Sequence, residues 1–138
     1  MKSFKIMLSA SLVAMATVGA AQADKLTLYC SAQEDWCQLM ANNFQDATGI
    51  KVAMTRKSSG ETFAQIKAES SNPKGDVWWG GTGDPHLQAA EEGLTASYIS
   101  PMRDQLHPWA ISQAESANNK TIGIYSGALG YGYNTDLL

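Results

Sequence analysis

The stretch DVWWGGTGDPHLQAAEEG, residues 76–93, passes from strand to loop to helix, and its reading decides the fold. Asp76-Val77-Trp78-Trp79 is rich in branched and aromatic side chains, as a buried strand is. Gly80-Gly81-Thr82-Gly83 has the composition of a tight loop. Asp84-Pro85 then reads as a helix start with proline at the first position, and Gly93 reads as its stop. Trp78 and Trp79 alternate faces of the strand, so one is expected in the core and the other beside the loop.

Working outward, two similar units precede this one. Leu26-Thr27-Leu28-Tyr29 is a short β-type run, followed by Trp36, Leu39, Met40, Phe44 and Ala47 at helical spacing until Thr48-Gly49. Residues 50–54 alternate as a strand does. Ser58 and Glu61 then stand at capping-box spacing, and Phe63, Ile66 and Lys67 continue a helix as far as Asn72-Pro73. Three strand–helix pairs in succession predict an α/β fold with a parallel sheet and crossovers on its faces. Beyond Pro101 the pattern loosens. Short helices are expected up to about Ser116, broken at Pro108, and residues 120–126 and 129–133 are strand-like.

The N-terminus has a different character. Lys2 and Lys5 precede an apolar run that ends in Ala21-Gln22-Ala23, the anatomy of a secretory signal peptide cleaved after Ala23. The expected division is a signal peptide over residues 1–23 and a binding lobe over residues 24–138. Removing the leader moves the formal charge from −3 to about −5. An acidic surface argues against nucleic acid and anionic lipid as partners. Both cysteines, Cys30 and Cys37, lie close together, and in an exported chain such a pair is most simply a disulfide. The spacing is not C-x-x-C, and no further Cys or His stands nearby to complete a metal site. The chain stops at Asn134-Thr135-Asp136-Leu137-Leu138 just as a new element begins, which reads as the N-terminal part of a longer protein.

In an open parallel sheet, ligands sit beyond the carboxyl ends of the strands. That rule gathers Cys30-Ser31-Ala32-Gln33, Lys57-Ser58-Ser59-Gly60, Gly80-Gly81-Thr82-Gly83-Asp84 and Tyr125-Ser126-Gly127 into one place. Each set combines small residues, hydroxyls and glycines. Glycine lets backbone N–H groups approach a ligand, and helix starts present unpaired donors with partial positive charge. Singly, Ser58, Asp84 and the glycines read as caps and turns. Together they read as a cradle for an oxygen-rich or anionic solute. No completed G-x-G-x-x-G, Walker loop or G-x-S-x-G motif is present. Asp84 and His86 are the sole candidates for a hydrolase reading, and they lack a partnered nucleophile.

Residues 26–29, Ala47-Thr48-Gly49-Ile50-Lys51-Val52, Ser59-Gly60-Glu61 and Asp76-Val77-Trp78-Trp79-Gly80-Gly81 follow one another at the spacing of a known family. The chain resembles the periplasmic solute-binding proteins of ABC transporters, in the group labelled ferric-ion-binding. The resemblance implies two α/β lobes of the type 2 periplasmic-binding-protein fold around a cleft, with residues 24–138 forming the first lobe. It implies a periplasmic monomer without cofactor or catalytic residues, which delivers a small anionic solute to a membrane permease.

Where iron-binding members place a His after the first strand, this sequence has Gln33, and where they place a Glu after the third, it has Gly81. The Cys pair and the G-G-T-x-D-P-H loop are similar instead to a subgroup close to hexose-phosphate binders, with phosphonate binders related to it. That likeness implies ligand contacts from Ser31, Ser59, Gly60, Thr82 and Asp84, and no metal ligand. A ferric-ion receptor is the alternative.

Overall fold

The computed structural model describes residues 25–128 and 130–137. The expected signal peptide and its cleavage site lie outside the described residues, as does Leu129 of the last strand-like run.

Strands and helices alternate as expected: β1 (Leu26–Cys30), α1 (Glu34–Thr48), β2 (Val52–Arg56), α2 (Ser59–Ala68), β3 (Val77–Trp79) and α3 (Gly83–Glu91). A 3-10 turn at Arg103–Gln105, α4 (Pro108–Ser116) and a final 3-10 turn at Thr135–Leu137 follow. The sheet has the order β2-β1-β3 and is parallel throughout, with Tyr29 of β1 opposite Thr55 of β2 and Trp78 of β3. As the central strand, β1 is covered on both faces, and Leu28, Tyr29 and Cys30 are all buried. Leu28 and Cys30 face a core with Ala32, Cys37 and Ala41, and Leu26, Val52, Met54 and Trp79 pack around it. Tyr29 points the other way. Its hydroxyl donates to Glu69 Oε2 at 2.8 Å, and its ring lies so near Gly75 that a Cβ there would meet it at 2.6 Å.

Trp36, Leu39, Met40 and Phe44, whose spacing marks α1 as a helix, remain 37–58 % exposed and do not form its inner face. The disulfide sets the inner face instead. Cys37 is bonded to Cys30, so the α1 face that meets the sheet must contain Cys37. Residues four apart share a helical face, so Ala41 and Gln45 follow it inward, and Gln45 Oε1 accepts the Val52 N–H at 2.8 Å. Gly49, at φ 74°, ends the helix in the left-handed conformation that favours glycine.

The remaining boundaries follow local chemistry. Ser58 and Glu61 form the expected capping box at the start of α2. Helix α3 begins earlier than expected, with Thr82 at the N-cap, so Pro85 is the third helical residue and not the first. Proline fits there because the first-turn N–H groups have no intrahelical acceptor. The strand-like runs are not strands: the described residues between 121 and 134 carry no ladder. Gly123 is wedged against Trp109 and Gln113, and Tyr125 reaches across to Gly81, so local packing holds this segment extended.

Candidate functional site

All three strands end at one edge of the sheet. The ladder continues one residue past β1 on each side, with Ser31 N–H donating to Trp79 O at 2.9 Å and Lys57 N–H to Cys30 O at 3.0 Å. From this edge three loops lead directly into α1, α2 and α3. Each helix therefore presents its first N–H groups on the same side of the molecule.

Gly81 is the point at which the loops meet. Its φ of 97° lies in the region favouring glycine, and a Cβ built there would fall on Ser59 Oγ and 2.8 Å from Ser31 Cβ. Thr82 N–H donates to Ser59 Oγ at 3.0 Å. Ser31 Oγ lies 3.1 Å from Thr62 Oγ1 and accepts the Trp78 indole N–H at 2.9 Å. Ser31, Ser59 and Thr82, read from sequence as ligand contacts, thus stand on a common rim.

Gly60 follows Ser59 in the first turn of α2 with open space where a Cβ would be, and Asp84 is exposed in the first turn of α3. Among the described residues no hydrogen bond ties Gly60 or Asp84 to the other three. Ser58 has the capping role expected of such serines, whereas the Thr82 hydroxyl makes no cap bond to its helix. The Thr82 side chain is exposed and its hydroxyl is available.

Tyr125, which the strand-end rule gathers with these loops, joins the rim together with Thr62 and Trp78, and none of the three is among the contacts that the resemblance implies. Tyr125 Oη accepts the Gly81 N–H at 2.6 Å and donates to the Gly81 carbonyl at 3.1 Å. Trp36 and Trp79 stand edge-on around its ring, at 5.6 and 6.4 Å. Thr62 is buried beneath Ser31. Its signal in the sequence is weak but real, since three residues after Ser59 is the same helical face. Of the two tryptophans, Trp79 packs on the core and Trp78 reaches Ser31 beside the loop, dividing the roles as the alternation requires.

His86 is bonded away from Asp84. Its Nε2 lies 2.9 Å from the Gly80 carbonyl, which can only accept, so Nε2 carries the proton. Its ring stacks on Trp78 with centroids 3.6 Å apart. Burial pulls the imidazole below the usual histidine range, partly opposed by the Gly80 carbonyl. A neutral ring held this way fixes the loop and the indole together.

Beside the rim, an open groove of about 1030 Å³ runs along β3, with Tyr29 and Glu69 at one end and Gly81 and Tyr125 at the other. Ser31, Ser59 and Thr82 do not line it, so groove and rim are separate surfaces sharing the Gly80–Gly81 turn. Among the described residues no group of three or more His, Cys, Asp or Glu side chains converges as a metal site would. No helix among them is long and apolar enough to cross a membrane.

With this geometry in hand, three kinds of relative are informative. The model of a family described as bacterial extracellular solute-binding protein matches residues 26–118. An uncharacterized protein of Haemophilus influenzae is 39% identical over 143 residues, which cover 100% of this chain and 41% of the relative. Among solved structures, the periplasmic binding protein AfuA from Actinobacillus pleuropneumoniae, with fructose-6-phosphate bound, is 46% identical with a TM-score of 0.60. That match covers 61% of this chain and 26% of AfuA. Iron-bound HitA from Pseudomonas aeruginosa is 30% identical with a TM-score of 0.57, covering 62% of this chain and 28% of HitA. The chain therefore spans less than half the length of the relatives it matches. Its three-stranded parallel sheet with flanking helices corresponds to one lobe of the periplasmic-binding-protein fold.

Proposed function

The chain belongs to the bacterial extracellular solute-binding proteins, and from that premise we propose that it forms the first lobe of a periplasmic receptor serving an ABC transporter. The receptor captures an anionic, oxygen-rich solute, a phosphorylated sugar or a phosphonate, and hands it to a membrane permease. Residues 1–23 are the export signal, removed after Ala23, and residues 24–138 supply one wall of a cleft whose other wall is a second lobe. Closure of the lobes on the solute is a hinge motion, and the chemistry is binding alone.

One observation carries this reading. Ser31, Ser59 and Thr82 gather at the starts of three helices, where hydroxyls and first-turn N–H groups face the same rim. Such a surface offers hydrogen-bond donors and the positive ends of helix dipoles, which suit a phosphate or phosphonate group. Gly60 leaves room for close backbone approach, and Asp84 provides an acceptor for sugar hydroxyls. The likeness to AfuA, a structure with fructose-6-phosphate bound, supports the same ligand class.

A ferric-ion receptor is the second reading, favoured by the likeness to iron-bound HitA. Thermal-shift titration of the full-length protein separates the two. The proposal expects stabilisation by hexose phosphates or phosphonates. A visible charge-transfer band on adding Fe(III), with no response to any phosphorylated solute, transfers the assignment to iron.

A further inference from the structure

Thr62 is the one polar side chain buried among the described residues, at 1 % exposure, and it lies directly under the rim. Its N–H is satisfied inside α2 by the Ser58 carbonyl at 3.0 Å. Its hydroxyl has Ser31 Oγ as its hydrogen-bond partner, 3.1 Å away. A hydroxyl taken out of water with its proton unpaired is destabilising, so the Thr62 proton is assigned to Ser31.

The Trp78 indole settles the rest of the bookkeeping. Indole Nε1–H is a donor only, and it points at the same Ser31 oxygen from 2.9 Å. Ser31 Oγ thus receives two protons, one from each side, and both its lone pairs are occupied. Its own proton is left for the half-buried side that opens on the rim. Stacking of His86 on Trp78 and the bond from His86 to Gly80 keep the indole in place.

We propose that Thr62 and Trp78 are positioning residues that make Ser31 an obligate hydrogen-bond donor, so that the rim accepts an oxyanion there and rejects a cation. The oxygen of Ser31 has no lone pair left for a metal ion or for a ligand N–H. This inference rests on the proposed function and adds the reason why its solute is an acceptor.

Hexose 6-phosphate binding to the full-length protein, measured by titration calorimetry, tests it through a double-mutant cycle. Ser31→Ala is expected to weaken binding about 10- to 100-fold, the scale of a hydrogen bond to a charged group. Thr62→Val is expected to cost about 3- to 10-fold through lost pre-organisation. In the Ser31→Ala background the same Thr62→Val change should add less than about twofold. Thr62→Ser keeps the hydroxyl and should restore affinity even if its melting temperature falls, which a purely structural role for Thr62 would not do. An equal Thr62→Val loss in both backgrounds overturns the positioning role while leaving the phosphorylated ligand in place. No binding of hexose 6-phosphate, inorganic phosphate or a phosphonate by the wild type overturns the ligand class and this inference together.

Discussion

Replacing Gly81 with alanine perturbs the rim at its narrowest point. The backbone there has φ 97°, outside the range an L side chain adopts readily, which costs about 1–2 kcal/mol. The new Cβ would sit 2.8 Å from Ser31 Cβ, whereas ordinary contact starts at 3.4 Å, so Ser31 must retreat by roughly 0.6 Å. Ser59 must move further, because the Cβ falls on its Oγ. That movement breaks the 3.0 Å bond from Thr82 N–H, worth about 0.5–1.5 kcal/mol.

The combined destabilisation is about 2–4 kcal/mol, which lowers the melting temperature of the full-length protein, more than twice the length of this chain, by roughly 3–7 °C. Calorimetric unfolding measures this loss, and ligand titration at a temperature where the variant is folded measures a second one. Both displaced serines belong to the rim, so affinity for a hexose phosphate should fall at least about 10-fold. Gly93→Ala is the control. Gly93 also has a positive φ, 73°, but nothing lies within 4 Å of its Cβ position, and it is remote from the rim. It should destabilise by about 1 kcal/mol and leave affinity unchanged. Equal effects of the two variants, in stability and in binding, would refute the steric argument.

Other consequences can be measured separately. Cys37→Ala with Cys30→Ala should cost about 2.5 kcal/mol in urea unfolding, the loop-closure value for so short a loop, and should loosen the seating of α1 on the sheet. His86 is held neutral by burial, so its folded pKa lies below the unfolded one. As pH falls through about 6.5 the unfolded chain takes up this proton first, and stability declines until the folded ring protonates as well. The contribution is fully present above about pH 6.5. In His86→Gln the fall in urea midpoint between pH 7.5 and 5.5 should therefore be smaller than in the wild type. Ser58→Ala removes the side-chain cap of α2 and should destabilise by about 1 kcal/mol. Because the Ser58 hydroxyl and N–H hold the Glu61 carboxyl below its usual range, the stabilisation from this pair should fade as pH drops through the acid region. Gly60→Ala should stabilise α2 by about 0.5–1 kcal/mol, since its Cβ meets open space, and any accompanying loss of affinity marks close approach of a ligand to that turn.

The alternation of strands and helices was legible because β1 and β3 carry branched and aromatic runs and because glycine and the capping box mark helix ends. The loops that converge were legible for the same reason: parallel topology alone sends all carboxyl ends to one edge. What the sequence hid was rotation and pairing. The apolar spacing of Trp36, Leu39, Met40 and Phe44 marks the helix but not its inner face, which the covalent tie at Cys37 sets. Residues 120–126 have strand propensity, yet a strand needs a neighbour, and among the described residues β3 offers its free edge without pairing to them. Within the site, Ser31, Ser59 and Thr82 stood out by residue type and place. The parallel topology brings Tyr125 to the rim and the strand alternation allows Trp78 beside it, but their hydrogen bonds, like that of Thr62, reach residues 31 to 47 positions away, and no local pattern encodes those partners.

The most direct measurement is a crystal structure of the full-length protein grown with a hexose 6-phosphate. The expected result is a phosphate whose oxygens lie about 2.6–3.2 Å from Ser31 Oγ and from hydroxyl or N–H donors of Ser59 and Thr82. A phosphate seated elsewhere, with the three residues facing only solvent, would contradict it.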